Sequence, residues 1–293
     1  MQEAAASPDK YYLSDQSFSI QHLHRREPYS MEAAHFHPFY EIYYLLRGER
    51  IYFINDKVYS VSKGDLIILN PYDMHRTDGP NGDSQGFERI LVNFTHEFMQ
   101  PVAEGKLRLL PFTQDAHLIR FPLKEQPVIE GLLWGLLGEC RQRQAGHEQG
   151  VQALLLLLLI RIQRAVLQTN DRVEHSVHPM HQKISEIASY LSAECHQRPT
   201  LEQVAQRFFI SPSHLSRVFK SITGLNFRDY MLLLRMKEAQ RMLRETNKKV
   251  QLISEECGFV NIAHFNKAFK KIVGVSPLQY RKLSNGKGRG RNG

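Results

Sequence analysis

The sequence predicts a multidomain α+β chain: a small antiparallel β-barrel followed by helices, then an all-α domain with two helix-turn-helix units joined by a long helix. Three observations predict it. Short alternating strands recur through the first third of the chain. Residues 263–280 repeat residues 213–230 in step. Charge is divided unevenly: from His181 onward there are 20 Lys and Arg against 8 Asp and Glu, whereas the residues before it hold 18 against 22. With 293 residues, of which 42% are hydrophobic, the chain supports about two domains with real cores. A basic half joined to a near-neutral one fits a nucleic-acid-binding module with a partner domain.

Residues 1–16 read as a polar arm. They lack a cationic region followed by an apolar run, so no secretory leader is expected. Cys140, Cys195 and Cys257 form no metal spacing and no even framework, which suits a reducing cytoplasm.

Residues 17–125 are assigned to the barrel. Alternation predicts strands at Phe18–His22, Glu41–Leu45, Arg50–Ile54, Lys57–Val61, Asp65–Leu69 and Glu88–Phe94. Asn55-Asp56-Lys57 and Lys63-Gly64-Asp65 are tight turns between them. Beyond Gly82 the pattern fades, with a short helix expected within residues 97–110 and irregular chain over 111–127.

Two helices follow, over residues 128–144 and 147–168, within a helical region at 126–168. The run Leu154 to Ile160 is apolar all round, but a membrane span needs about 20 such residues. Gln152, Arg161 and Gln163 interrupt this one, so a buried helix and no membrane partner are expected. Residues 169–181 are polar with a proline and read as a linker.

Residues 182–283 hold the repeat. His214 falls on His264, Phe219 on Phe269, Lys220 on Lys270, Gly224 on Gly274 and Tyr230 on Tyr280. Thr200 and Ser211 are placed to cap helices, with Pro212 at a first helical position. Gly258 can supply the later turn, where the earlier copy has Phe209. Phe227–Leu243 is the connecting helix. The outward faces carry Ser211, Ser213, His214, Ser216, Arg217 and Lys220 in one copy, and Asn261, Ile262, Ala263, Asn266, Lys267, Lys270 and Lys271 in the other. Short polar and cationic side chains on a protruding helix suit a major groove: Arg and Asn can pair with base edges, and Lys neutralises phosphate. Double-stranded DNA is therefore the expected partner. Residues 284–293, Gly-rich and basic, are expected to be a disordered tail.

This region resembles the DNA-binding domain of AraC/XylS-type bacterial transcription regulators. The matching residues are Ile253, Cys257-Gly258-Phe259, Ala263-His264-Phe265, Phe269-Lys270-Lys271, Gly274, Ser276-Pro277 and Tyr280-Arg281. The resemblance implies a sequence-specific regulator, by family habit an activator that also meets RNA polymerase. It implies a small-molecule effector, in many relatives a sugar, bound in the barrel, and a homodimer formed through the helices after it.

The barrel carries its own pattern: His35-x-His37, then Glu41 and Gly48, then Gly64-Asp65 and His75. It resembles the two motifs of the cupin fold, in whose metal-binding members the three histidines and the glutamate meet around one divalent ion. Imidazole and carboxylate donors suit Fe, Mn, Ni or Zn. Asn70, Tyr72 and Gly79 depart from the usual surroundings of that motif. Three uses stand open: a metal site, structural histidines, or the polar lining of an effector pocket formed by His35, His37, Glu41, Tyr43 and His75. Tyr40, Tyr44, Tyr52 and Tyr72 are further aromatic candidates for the barrel interior. The leading expectation is a non-enzymatic regulator without a cofactor. The alternative is a metal-dependent cupin enzyme fused to a DNA-binding domain.

Overall fold

The computed structural model describes residues 9–13, 16–27, 29–32, 34–80, 86–99, 117–168 and 179–286. The chain divides into two compact units, Met1–Pro179 and Met180–Gly293.

Among the described residues, nine strands lie in the first unit: β1 (Asp9–Tyr12), β2 (Phe18–Arg25), β3 (Tyr40–Arg47), β4 (Glu49–Ile54), β5 (Lys57–Ser62), β6 (Asp65–Leu69), β7 (His75–Asp78), β8 (Phe87–Phe94) and β9 (Leu118–Arg120). They form two antiparallel sheets rather than a closed barrel. The larger runs β1-β2-β8-β3-β6-β9 and the smaller β5-β4-β7. Behind them come α1 (His96–Met99), α2 (Gln126–Gln142) and α3 (His147–Gln168).

Period-two alternation decides what each face of the larger sheet meets. Phe18, Ile20, Ile42, Tyr44, Leu66, Ile68, Ile90, Val92 and Phe94 cluster with Leu133, Leu136, Leu155, Leu158 and Ile162 of α2 and α3. The opposite face sends Tyr43, Leu45, Ile67, Leu69 and Phe87 against Tyr52, Ile54, Tyr59 and Val61 of the smaller sheet. The result is three layers: helix pair, large sheet, small sheet. α3 is long and apolar enough to cross a membrane, yet Val151, Leu155, Leu158, Leu159, Ile162 and Val166 are buried inside the unit.

Some expectations need correction. β1 lies inside the stretch read as a polar arm, because Lys10-Tyr11-Tyr12 pairs with Ser19–Gln21. β9 lies inside the stretch read as irregular, held by Asp65–Ile67. β7 had no apolar signature, since His75-Arg76-Thr77-Asp78 gains its strand from pairing with β4. The helix expected within 97–110 appears as α1, and residues 100–110 lie outside the described residues. So do residues 1–8, 169–178 and 287–293, which hold half of the expected arm and most of the expected linker and tail. The last residues of that linker, 179–181, already belong to a helix, and residues 284–286 continue one.

The second unit is α-helical: α4 (Pro179–Ala193), a short 3₁₀ turn at Cys195–Gln197, α5 (Leu201–Arg207), α6 (Pro212–Thr223), α7 (Phe227–Glu245), α8 (Val250–Glu256), α9 (Ile262–Val273) and α10 (Pro277–Gly286). α5–α6 and α8–α9 are the two helix-turn-helix units, and α7 connects them. The repeat is visible in the core. Phe219 meets Tyr230 edge-on at 4.9 Å, and Phe269 meets Tyr280 in the same way at 5.7 Å.

Candidate nucleic-acid interface and inter-sheet site

Local chemistry sets the start of each helix in the second unit. Thr200 accepts from the Gln203 amide while the Gln203 side chain accepts from the Thr200 amide, a complete capping box. Ser211 accepts from the His214 amide with Pro212 just behind it, and Asn226 caps α7. Asn261 accepts from the amides of Ala263 and His264. Gly224 and Gly274 close α6 and α9 in the left-handed conformation. In the turns, Gly258 has φ 83° and Phe209, at the equivalent position, φ 54°.

These caps fix which side of α6 and α9 faces inward. Leu215 and Phe219, and Phe265, Ala268 and Phe269, are buried. Of the residues proposed to meet DNA, Ser211, Ser213, Arg217, Lys220, Asn261, Ile262, Ala263, Asn266, Lys267, Lys270 and Lys271 are exposed; His214 and Ser216 are half-buried. Arg217 is held by a 3.2 Å contact with His214 one turn back. Among the described residues, the ion pairs of this unit occupy other side chains: Arg241 pairs with Glu238 and Glu245, and Lys248 with Glu256. The cations of α6 and α9 therefore face solvent without an acidic partner.

The first unit assembles a second candidate site between its sheets. An isolated bridge pairs His35 with His75 through two backbone hydrogen bonds. The rings of His35 and His75 lie 4.4 Å apart, and those of His37 and His75 5.0 Å. One ring nitrogen from each of the three lies within 4.8 Å of the others. Glu41 Oε2 lies 3.1 Å from His37 Nε2. The spacing-based grouping of His35, His37, Glu41 and His75 is thus one place in the fold. Burial pushes His35 down to about 4, helped by neighbouring His75. Burial also lowers His75, against the pull of Glu41. Glu41 is raised by burial but ends below its ordinary range, because the His37 contact and the charges of His75, His37 and Arg89 outweigh it.

The donors suit a divalent ion in one respect. His37 Nδ1 meets the Phe39 carbonyl at 3.0 Å and His75 Nδ1 meets the Asp73 carbonyl at 2.9 Å. Donation from Nδ1 leaves Nε2 as the lone-pair side, the second-shell arrangement usual for metal-bound histidine. A carboxylate then faces His37 Nε2, so that nitrogen needs either its own proton or a cation.

Tyr43 stands two residues beyond Glu41 on the same face of β3, with its ring 5.1 Å from that of Tyr52. Of the other tyrosines, Tyr44 turns to the helix layer and donates to Glu130 at 3.0 Å, and Tyr40 stacks on Phe94 there. Residues not anticipated from sequence share the inter-sheet space. Arg50 is fully buried, its guanidinium 4.5 Å from the Phe87 ring centre. Arg89 lies over the Tyr43 ring at 5.6 Å. The register sets Asn93 opposite both Glu41 and Ser19. The available signal was a charged or amide residue at inward positions of alternating strands: Arg50 with Tyr52 and Ile54, and Arg89 with Leu91 and Asn93.

A double helix-turn-helix module with uncompensated cations, carried behind a two-sheet domain, defines a DNA-binding regulator. Residues 204–283 match the family described as "Helix-turn-helix domain", and residues 18–159 match "AraC-like ligand binding domain". The chain is 26% identical over 254 residues to YfiF of Bacillus subtilis, named as an uncharacterized HTH-type transcriptional regulator, covering 85% of this chain and 78% of that one. It is 23% identical over 276 residues to the HTH-type transcriptional activator RhaR of Mannheimia succiniciproducens, covering 94% and 95%. Among solved structures it is similar to the C-terminal domain of AraT, a response regulator from Geobacillus stearothermophilus, at 32% identity and TM-score 0.34, covering 37% of this chain and 88% of that one. The chain carries an AraC-like ligand-binding domain ahead of an AraC-type helix-turn-helix domain, and its relatives are regulators of the AraC family.

Proposed function

We propose that this regulator reads a specific DNA site with α6 and α9, and that a small molecule held between the two sheets controls it. The observation that carries the reading is the pair of capped, outward-facing helices whose cations have no acidic partner among the described residues. Family relatives named as activators support activation, with RNA polymerase as the further partner, in the cytoplasm. A sugar is the effector class that the family resemblance suggests. Arg217 and Asn266 are the base-reading candidates, and Lys220, Lys267, Lys270 and Lys271 the phosphate contacts. Dimer formation uses the outer faces of α2 and α3, where Trp134, Leu157 and Leu167 are exposed. Gel-shift and footprinting on the DNA upstream of its own gene test the reading. A protected site that survives excess random DNA is expected; an affinity set by salt alone would sink sequence reading.

The tautomers at His37 and His75 favour a second use of the first unit. His35, His37, His75 and Glu41 would hold a divalent ion, which would supply a fixed positive charge or Lewis acid at one end of the inter-sheet space. Metal analysis of purified protein checks this: a stoichiometric divalent ion is expected, and it should be absent from His37→Ala.

A further inference from the structure

Two guanidiniums between the sheets, that of the buried Arg50 and that of the half-buried Arg89, have more donors than the protein uses. Arg50 spends only Nε, on Thr77 Oγ1 at 3.2 Å. Its Nη1 and Nη2 have no hydrogen-bond partner among the described residues, and the same holds for Nη1 of Arg89, Oδ1 of Asn93 and the Tyr43 hydroxyl. Arg89 uses Nη2 on Gln21 at 2.7 Å. The nearby carboxylates are already committed: Glu41 to His37, and Asp78 to Arg76 at 2.8 Å. A buried guanidinium without an acceptor is costly, and natural proteins keep one only where something answers it.

The geometry points to an effector that carries an oxyanion group, gripped by Arg50 and Arg89, with its body against Tyr43, Tyr52 and Phe87. This deepens the inter-sheet effector reading above and rests on it. A planar fork with two free NH₂ groups matches the paired oxygens of a carboxylate or phosphate. Burial holds the Tyr43 hydroxyl up at about 12, against the pull of both arginines, so it remains a donor to the same group. A neutral sugar would take hydrogen bonds from these donors but leave both charges uncompensated. The rings of Phe87, Tyr43 and Tyr52 give the rest of the ligand an apolar wall.

Matched pairs of acid and neutral analogue test this on the full-length protein by thermal shift and calorimetry at constant ionic strength. The pairs are glucuronate with glucose, benzoate with benzyl alcohol, and glucose 6-phosphate with glucose. At least one acid should raise the unfolding midpoint well above its neutral partner, and which acid does so separates carboxylate from phosphate. Arg50→Lys, which keeps the charge but loses the fork, should weaken that acid about thirtyfold or more. Arg50→Met in the ligand-free protein should unfold at the same temperature or higher, because it removes an unanswered buried charge. A neutral member stabilising as well as its acid overturns the oxyanion inference and leaves the effector site standing. No shift from either member of any pair overturns both. An Arg50→Met protein that is less stable without ligand would show the arginine to be structural and likewise overturn the inference.

Discussion

Phe209 shows how one residue can work against the fold it belongs to. It holds φ 54° and is 92% exposed, so it carries the left-handed conformation with almost no compensating burial. The second unit solves the same turn with Gly258. A Cβ in this region costs roughly 1–2 kcal/mol. Phe209→Gly should therefore raise unfolding stability by about 1 kcal/mol, read from urea denaturation, with the gain tempered by the freer unfolded chain. His35 gives a second residue-scale expectation. Its pKa is depressed from 6.5 to about 4 in the folded protein, so the unfolded chain binds a proton first as pH falls. Stability that is complete above pH 6.5 should decline between there and about 4, and His35→Gln should flatten that limb of a thermal-midpoint titration. Residues whose work is local were legible without coordinates. Thr200, Ser211, Pro212 and Gly258 act on neighbours a few positions away, so their chemistry is written in adjacent letters. Arg50 was not legible as a site residue. Its role depends on Phe87 and Tyr43, which other strands deliver across the sandwich.

At the scale of elements, the same division separates what could be read from what could not. The predicted strands were those with their own alternation of apolar residues, and they correspond to β2, β3, β4, β5, β6 and β8. β1, β7 and β9 owe their extended form to a partner, and partner-dependent pairing leaves no periodic mark on the strand itself. The same argument applies to α3, whose all-round apolar run hides which side is core. The structure separates them: Leu158 is fully buried against α2 and the large sheet, whereas Leu157 is 52% exposed. Leu158→Ala should lower stability by about 2–5 kcal/mol. Leu157→Glu should leave the stability of the isolated subunit within about 0.5 kcal/mol. If α3 makes the proposed dimer contact, the same substitution shifts sedimentation toward monomer; unchanged sedimentation would place the dimer contact elsewhere.

At the scale of the molecule, the proposed DNA reading rests on two readers held by one spacer. α7 has 19 residues, about 28 Å of helix, and it is locked at both ends. Tyr230 packs on Phe219 of α6, and Gln240 and Arg244 reach Tyr280 of α10. A spacer fixed this way cannot lengthen or swivel to follow a changed target. The two readers also differ: α6 offers Arg217 among serines, and α9 offers three lysines around Asn266. Arg217→Ala should cost about 1–3 kcal/mol and relax base preference at one half of the site only. Lys270→Ala should weaken specific and random DNA alike and reduce the salt slope by about 1. The spacer itself is tested from the DNA side. Inserting about 5 base pairs between the two half-sites turns one away, and inserting about 10 restores the face but moves it a full turn along. Both insertions should reduce binding to that of a single half-site, because α7 cannot bridge the added turn. Recovery at the longer insertion would mean that the two helix-turn-helix units are joined flexibly, which the packing at both ends of α7 contradicts.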